Sequence, residues 1–289
     1  VTVNSIDMQT GSRLDFKGFN STINTPTAEF SYFTGATLNN TTAGTDISVN
    51  IITAPGYNTY FRNSTVNDNI TFTVSGTAGF YEADNANTGN NYTGNVAINF
   101  SSTGALYLSQ TDTSFISGNL SINRTGAGLT DAFNGGSVIG GNFSFTNNTS
   151  GNSLFGIGTK RTSIGGTVNI SINDTATITT PGTFELIRII NQTNGGTISV
   201  QNTKGFDVGN DTLKITAMNI TGYRGADYGY LYNNDITGNV TFADATTHVP
   251  GYTTYIRENI FRGNASFTIN STTNLWEADA ANGGNHYTG

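Results

Sequence analysis

Two acidic residues, Glu82 and Asp84, lie two positions apart, and the same pair returns as Glu277 and Asp279. Residues two apart in an extended strand point to one face, so each pair would present two carboxylates together. The simplest interpretation is a solvated strand face that limits sheet-edge aggregation. Carboxylate oxygens also bind Ca²⁺, and paired carboxylates can hydrolyse glycosidic bonds. A calcium site is therefore the first alternative, and catalysis is the second.

A second repeated set combines aromatic rings with arginine. It consists of Tyr57, Tyr60 and Arg62 in one copy and of Tyr252, Tyr255 and Arg257 in the other. Tyrosine with arginine could stack sugars or form an interface between subunits. The alternative is a structural corner in which one tyrosine packs inward and the arginine is exposed.

Other residues give little sign of chemistry. The two histidines, His248 and His286, have no counterpart in the repeated copy, which favours surface positions over catalysis. No Ser-His-Asp set, zinc-ligand spacing or phosphate-binding loop is present, and the chain has no cysteine. The sequence therefore predicts a protein that is not an enzyme, with no catalytic residues and no cofactor beyond the possible Ca²⁺.

Asparagine provides the most frequent modification signal. The chain contains 20 Asn-x-Ser/Thr triplets, the acceptor pattern for N-glycosylation in secreted proteins. Asn and Thr also suit turns and exposed strands, so many triplets could arise by composition alone. The candidate glycosylation sites are Asn20, Asn40, Asn63, Asn69, Asn91, Asn119, Asn123, Asn142, Asn148, Asn169, Asn173, Asn191, Asn210, Asn219, Asn239, Asn264 and Asn270.

Composition bounds both the fold and the partners. The 289 residues include 39 Asn, 49 Thr and 36 Gly but also 18 Phe and 13 Tyr, which indicates an ordered all-β protein. A net charge of −7 without a basic cluster disfavours nucleic-acid binding. No apolar run approaches 18 residues, so no membrane span is predicted in this segment.

The elements that would position these residues begin with one short phrase, Gly-Asn followed by an alternating apolar strand. The phrase occurs at Gly94-Asn95, Gly118-Asn119, Gly141-Asn142, Gly238-Asn239 and Gly263-Asn264, with looser versions at Gly166-Thr167 and Gly196-Thr197. A turn that leads into a period-2 strand, repeated along the chain, predicts a stack of equivalent coils. At each corner Asn would adopt the left-handed conformation and bond to the Asn of the next coil.

A longer repeat contains the short one. Residues 56–94 return at 251–289 with an offset of 195, and 19 of these 39 positions are identical. Residues 1–289 are therefore expected to form one continuous solenoid, and the chain to be a window of a longer tandem array. Nine starts of apolar strands, at 69, 95, 119, 142, 167, 197, 212, 239 and 264, divide 195 residues into eight intervals.

A mean interval of about 24 residues suits a parallel β-helix whose coils contain three short strands each. The prediction is thus a β-solenoid with about eight coils per long repeat, in which residues 183–190 form one buried strand. Residues 20–44 and 222–234 are expected to bulge as loops. The alternative, two antiparallel sandwiches in tandem, would not explain a phrase that returns in every coil.

With these coils counted, the chain resembles secreted β-solenoid surface proteins of the filamentous haemagglutinin and autotransporter-adhesin type. It is also similar to archaeal surface-filament proteins with parallel β-helix repeats. The resemblance covers the whole chain but is architectural, so it transfers no site residue. It implies an adhesive or structural, non-enzymatic glycoprotein, located extracellularly on a prokaryotic cell surface. Its partners would be further copies of its own repeat or surface glycans. The alternatives are a polysaccharide-degrading β-helix enzyme and a carbohydrate-binding module.

Overall fold

The structure, a computed structural model, describes residues 7–8, 13–16, 21–24, 31–40, 46–53, 57–77, 79–173, 182–224, 228–245, 253–269, 274–278 and 283–288. These residues form strands and turns without a helix. No helical stretch in this described part of the chain could therefore cross a bilayer.

The described strands form three sheets of 12, 12 and 11 strands, named here sheets I, II and III. Sheet I contains β1 (Asp7–Met8), β4 (Ser31–Thr34), β7 (Thr59–Arg62), β10 (Phe80–Glu82), β13 (Leu106–Leu108), β16 (Thr130–Ala132), β19 (Ser153–Phe155), β22 (Thr183–Ile187), β25 (Gly205–Gly209), β28 (Gly229–Tyr232), β31 (Thr254–Arg257) and β34 (Leu275–Glu277). Sheet II contains β2 (Arg13–Phe16), β5 (Thr37–Asn40), β8 (Thr65–Asn67), β11 (Asn91–Tyr92), β14 (Ser114–Ile116), β17 (Ser137–Ile139), β20 (Thr162–Ile164), β23 (Ile189–Asn191), β26 (Thr212–Leu213), β29 (Asp235–Ile236), β32 (Ile260–Phe261) and β35 (His286–Tyr287). Sheet III contains β3 (Ser21–Asn24), β6 (Ile47–Thr53), β9 (Ile70–Gly76), β12 (Val96–Phe100), β15 (Leu120–Arg124), β18 (Phe143–Asn147), β21 (Val168–Asn173), β24 (Thr197–Gln201), β27 (Ala217–Tyr223), β30 (Asn239–Asp244) and β33 (Ala265–Thr268).

Consecutive strands enter sheets I, II and III in turn, so three strands make one coil and the coils stack into a column. Neighbouring strands within each sheet are parallel and three elements apart in the chain. This arrangement confirms the predicted parallel β-helix. The antiparallel sandwiches are excluded because they require antiparallel neighbours.

The 195-residue repeat corresponds to a whole number of coils. Thr59 opens β7 and Thr254 opens β31, and these strands lie eight positions apart in sheet I. The predicted eight coils are therefore confirmed, although one assumed strand start is wrong. Position 212 belongs to sheet II, and the sheet III strand of that coil is β27, which starts at Ala217.

Alternation within each strand creates the core. In β12, Val96, Ile98 and Phe100 are buried while Asn99 is exposed. Register places Ile98 between Phe72 and Ile122, so equivalent inward positions stack along the axis. Each fully buried apolar side chain contributes about 1.5–3 kcal/mol relative to exposure, and every coil adds several of them.

The Gly-Asn phrase forms the corner at the start of several sheet III strands, among them β12, β15 and β18. A Cβ at Gly118 would lie 2.7 Å from the carbonyl oxygen of Gly94, so glycine is required by the close approach of adjacent coils. Asn95 Oδ1 accepts the Asn119 main-chain N–H at 2.8 Å and its Nδ2–H at 3.0 Å. The predicted link between coils is confirmed, but the predicted left-handed backbone is wrong, because positive φ occurs at other asparagines such as Asn63.

Two further sequence expectations are corrected. Residues 183–190 do not form one strand, because Arg188 adopts φ 61° and turns the chain from β22 into β23. Both segments expected to bulge as loops contain strands of the stack: β3, β4 and β5 lie in the first, and β28 lies in the second. Their tyrosines and turn residues suggested loops, whereas tyrosine also suits the outer face of a strand.

Candidate functional site

Glu82, the first candidate ligand, points into the solenoid rather than out of it. It is 3% exposed and lies in register with Phe61 of the preceding coil. Its Oε1 accepts hydrogen bonds from Asn90 Nδ2 at 2.6 Å, Ser114 Oγ at 2.5 Å and Tyr92 OH at 3.3 Å. Its Oε2 accepts the Ser109 main-chain N–H at 2.7 Å.

These contacts act against the cost of burying a carboxylate. Burial raises the pKa of Glu82, while hydrogen bonds from Ser114, Asn90, Ser109 and Tyr92 lower it, and the net direction is upward. The donors come from two successive coils, since Asn90 and Tyr92 share the coil of Glu82 while Ser109 and Ser114 belong to the next. Glu82 therefore joins coils together and does not face solvent.

Asp84 lies beyond the end of β10, because Ala83, with φ 48°, turns the chain directly after Glu82, and its side chain is half-buried. Arg62 donates to Asp84 through Nε at 2.6 Å and Nη2 at 2.7 Å, a bidentate ion pair between neighbouring coils. The hydrogen bond from Arg62 to Asp84 is the largest cause of the raised pKa of this guanidinium. The expectation that Glu82 and Asp84 share one strand face is therefore wrong.

The second copy of the acidic pair repeats the contacts of the first. Tyr287 OH donates to Glu277 Oε1 at 2.6 Å and Asn285 Nδ2 donates at 3.4 Å, as Tyr92 and Asn90 do to Glu82. Asp279 lies outside the described residues. Within those residues, no three His, Cys, Asp or Glu side chains are placed to hold a metal ion together. Calcium binding at these acids stays a prediction.

Tyr60 and Tyr255 belong to two rows of aromatic residues on the outer face of sheet I. Tyr32, Tyr60, Tyr81 and Tyr107 follow one another in register, with centroid distances of 5.1, 5.2 and 4.8 Å. Tyr230, Tyr255 and Trp276 form a second row, in which the first two rings stack at 5.2 Å and 12°. We name these two sets the tyrosine rows.

Arginine accompanies each row, as the sequence suggests. Arg62 lies 4.5 Å from the Tyr60 ring centre, and Arg257 lies 5.6 Å from that of Tyr255. Where neighbouring rings of a row stack, as Tyr32 on Tyr60 and Tyr230 on Tyr255, each ring face is covered by the next ring. Sugar stacking requires an open ring face, which only a row end provides. Tyr57 is half-buried, and Tyr252 lies outside the described residues.

Between the tyrosine rows, the same outer column becomes acidic. Its successive positions are Asp131, Leu154, Glu185 and Asp207. Glu185 and Asp207 are direct register partners on β22 and β25, so their Cα atoms are about 4.8 Å apart, as on any adjacent strands. We name them the Glu185–Asp207 pair.

The environment differs between the two carboxyl groups of this pair. Burial, followed by the nearby charge of Glu185, raises the pKa of Asp207 to about 7, against the opposing effects of Arg188 and Arg257. Asp207 Oδ1 is buried without a hydrogen-bond partner. Glu185 Oε1 instead accepts the Tyr228 hydroxyl at 2.7 Å. A half-buried acid with a raised pKa beside a second carboxyl group is an arrangement found at catalytic sites.

The Glu185–Asp207 pair is not among the residues singled out from the sequence. A signal is present, since Thr183-Phe184-Glu185-Leu186 and Gly205-Phe206-Asp207-Val208 share one pattern in adjacent coils. Residues 183–190 read as one fully buried strand, which hides the outward position of Glu185. If Arg188 is recognised as a corner, the alternation becomes visible, with Glu185 pointing outward between the inward Phe184 and Leu186.

The sequons occupy different environments. Asn63, Asn91, Asn123, Asn148 and Asn264 are exposed. Another group lies at or next to the corner before sheet III, where each Oδ1 accepts an N–H from the next coil; this group contains Asn69, Asn119, Asn142, Asn169 and Asn239. Asn210 and Asn219 are half-buried. The structure does not describe Asn20 and Asn270 or the side chains of Asn40 and Asn173.

Packing closes off the acceptor nitrogen of Asn191, one of the candidate sequons. Its side chain is fully buried, and its Nδ2 donates to the carbonyls of Thr193 at 2.8 Å and Lys214 at 3.0 Å. Its Oδ1 accepts the Lys214 N–H at 2.7 Å. A sugar on this nitrogen would displace the turn that follows β23.

No protein-family model, curated protein or solved structure matches the chain. The function is therefore argued from the geometry of the coils and of the outer face of sheet I.

Replacing Glu82 by alanine tests its role between coils. Glu82→Ala removes the acceptor of the Ser109 N–H and of the other buried donors around it, so we expect a loss of at least about 1–3 kcal/mol in the free energy of unfolding at pH 4–5. Because the folded pKa is raised, the wild-type advantage is fully present below the unfolded pKa and shrinks as pH rises through the folded value. Urea denaturation at several pH values measures both.

The matched control is Glu277→Ala, the same site in the copy whose carboxylate is exposed. We expect a change below about 0.5 kcal/mol there, as for most surface substitutions. Equal stability of Glu82→Ala and wild type at pH 4.5 would contradict the assignment.

Proposed function

We propose that this chain is a structural and adhesive β-solenoid of a prokaryotic cell surface, built from tandem 195-residue repeats. The observation that carries the proposal is the whole number of coils per repeat. Eight coils return each surface feature to the same face of the stack, so Tyr60 and Tyr255 lie in one column of sheet I. Copies can therefore be added without a new core, and each copy presents the same outer face.

The distribution of charge supports the same proposal. Positions on the outer face of sheet III, such as Ser121, Asn123, Ser144 and Thr146, are small or uncharged and lie in register. The arginines with clear ion pairs, Arg62 and Arg262, connect neighbouring coils to each other through Asp84 and Asp235. These features stabilise an extended column and leave long polar faces, which suit contacts with further copies of the repeat or with surface glycans.

The length of the repeat provides the test. Insertion of a second copy of residues 59–253 directly after residue 253 adds eight coils, and we expect the maximum dimension to grow by about 38 Å at a coil rise of about 4.8 Å. Small-angle X-ray scattering of both proteins measures this difference. A matched insertion of residues 59–241 alone breaks the phase of the coils, and it should lower the cooperativity of unfolding. An increase well below the expected one for the full insertion would argue against the columnar spacer.

Glycosylation is part of the proposal and has its own measurement. We expect sugars at exposed sequons such as Asn123 and none at Asn191, because only the first nitrogen is accessible in the folded chain. Intact mass of protein from its natural source, compared with an Asn123→Gln variant, should show the loss of one glycan. An Asn191→Gln variant should lose no glycan mass. A native mass equal to that of the polypeptide alone would remove this part of the proposal.

A second candidate function is glycoside hydrolysis at the Glu185–Asp207 pair. Retaining glycosidases place two carboxyl groups about 5–5.5 Å apart, one protonated as general acid and one ionised as nucleophile. Adjacent strands supply a similar spacing, the raised pKa of Asp207 suits the acid, and Glu185 suits the nucleophile. The neighbouring Tyr230 and Arg257 could orient a sugar chain on the outer face.

Turnover of neutral and acidic glycans tests this candidate. We expect Glu185→Gln and Asp207→Asn each to abolish any activity, whereas Asp131→Asn, in the same column two coils away from Glu185, should retain it. Removal of the Glu185 charge should also lower the pKa of Asp207 from about 7, as measured by NMR of its carboxyl carbon. If no glycan is cleaved, or if Asp207→Asn remains active, the pair is structural.

A further inference from the structure

The corner that opens each sheet II strand holds a second column of side chains, directed inward. Register places its members above one another along the stack. We call it the inner corner column, and its members are Ala36, Ser64, Asn90, Ser114, Ser137, Thr162, Ile189, Asp211, Asn234, Asn259 and Asn285. Its described members from Ala36 to Asn259 are buried.

One hydrogen bond recurs along this column. The main-chain N–H of a corner residue donates to the side-chain oxygen of the residue one coil later. Ser64 N–H reaches Asn90 Oδ1 at 2.7 Å, Asn234 N–H reaches Asn259 Oδ1 at 3.2 Å, and Asn259 N–H reaches Asn285 Oδ1 at 3.0 Å. The side-chain oxygen of each such member thus caps the corner of the preceding coil.

The asparagines of the column make a second, equally regular bond. Each Nδ2 donates to a main-chain carbonyl of sheet I in the preceding coil, and the four acceptors occupy one inward row. The bonds run from Asn90 to Phe61 at 2.9 Å, from Asn234 to Val208 at 2.9 Å, from Asn259 to Leu231 at 2.8 Å and from Asn285 to Ile256 at 2.8 Å. At each asparagine position of the column, the atom in the place of Nδ2 must therefore donate a hydrogen bond to this carbonyl.

Asp211 occupies an asparagine position in the column. Its Oδ1 accepts the Ile189 N–H at 2.6 Å, and its own N–H donates to Asn234 Oδ1 at 3.1 Å, as the pattern demands. Its Oδ2 stands where asparagine has Nδ2, and this oxygen is buried without a hydrogen-bond partner. The carbonyl that corresponds to the other four acceptors belongs to Leu186, the register partner of Val208.

An ionised carboxylate cannot satisfy that position, because both it and a carbonyl only accept hydrogen bonds. A protonated carboxyl group can, since its O–H donates just as the amide N–H of asparagine does. We propose that Asp211 remains protonated in the folded protein at neutral pH and donates its proton to the Leu186 carbonyl, so that acidification stabilises the solenoid.

The surroundings agree with this assignment. Burial raises the pKa of Asp211 well above its ordinary value, and the charge of Asp207 adds to the effect. The Ile189 N–H and the cations Arg188 and Arg161 act in the opposite direction. Tyr232 also faces this group, and Asp235 and Glu258 lie at the same corner of the following coils.

The sign of the pH dependence follows from linkage. Asp211 is protonated in the folded chain and ionised in the unfolded chain between the unfolded pKa of about 4 and the raised folded value. In this range the unfolded state binds fewer protons, so the contribution of Asp211 to stability is complete in acid and falls as pH rises. One proton changes the folding equilibrium tenfold for each pH unit.

The test compares the wild-type chain with Asp211→Asn over pH 4 to 8. Asparagine supplies the hydrogen-bond donor without taking up a proton from solution. We therefore expect the ratio of the two folding equilibrium constants to shift in favour of the variant by tenfold for each unit by which the pH rises. Asp211→Asn should be more stable than wild type at pH 7, and the NMR signal of the Asp211 carboxyl carbon should report the acid form there. Glu82 and Asp207 remain in both proteins, and a protonated Asp211 and an asparagine at this position are both uncharged toward Asp207, so the contributions of Glu82 and Asp207 cancel.

The reciprocal variant, Asn234→Asp, places a second acid in the same column. We expect it to fold and to acquire an additional pH dependence of the same sign, with the greatest loss of stability at high pH. Parallel pH profiles for wild type and Asp211→Asn would overturn the proposal. So would a carboxyl carbon that titrates near pH 4, or an Asn234→Asp variant whose pH dependence equals that of wild type.

Discussion

Everything in this molecule depends on one constraint, the fixed register between a coil and the next. Parallel strands repeat at about 4.8 Å, so a residue has one neighbour above and one below, at the same position of the coil. A residue type fits at a given position of the coil if its side chain can hydrogen-bond to or pack against the side chains at the same position in the adjacent coils. Phe, Ile and Val meet this condition inside the stack, Tyr meets it on the outer face of sheet I, and Asn meets it at two corners.

The same constraint explains how the solenoid tolerates polar groups in its interior. Arg124 is fully buried in an inward row between Phe100 and Asn147, where its Nε donates to the Gly126 carbonyl and Nη1 to the Thr130 hydroxyl. Burial lowers the pKa of this guanidinium to about 10. Glu82 and Asp211 are acids in comparable settings. Each of these three residues stands where a corner offers main-chain groups, so their buried polarity is confined to the turns.

Much of the fold could be predicted from the sequence because its short and long repeats reveal the period of the coils. Gly-Asn marks one corner, alternating apolar residues mark one strand, and the 195-residue offset fixes eight coils. The prediction is wrong where a corner has no Gly or Pro. Arg188 and Ala83 turn the chain with positive φ, and neither residue type signals a turn. These two hidden corners account for the split of residues 183–190 and for the misplaced pair Glu82 and Asp84.

The candidate site was hard to predict for a related reason. Glu185 and Asp207 belong to different coils and become neighbours only when the register of two irregular coils is known. Asp211 differs from the asparagines of its column only in carrying Oδ2 where they carry Nδ2. The consequence of this difference depends on the Leu186 carbonyl, which lies in another sheet. Repetition makes the architecture visible in a sequence, whereas departures from repetition carry the chemistry and are understood only in three dimensions.

The second tyrosine row has an optical consequence. The chain contains one tryptophan, Trp276, whose ring centre lies 5.9 Å from that of Tyr255, which in turn stacks on Tyr230. Light absorbed by these tyrosines passes to the indole most efficiently while β28, β31 and β34 remain stacked. Tyrosine-excited indole emission is therefore a built-in gauge of order in this part of the stack, and it reports the separation of a few coils rather than the melting of the whole column.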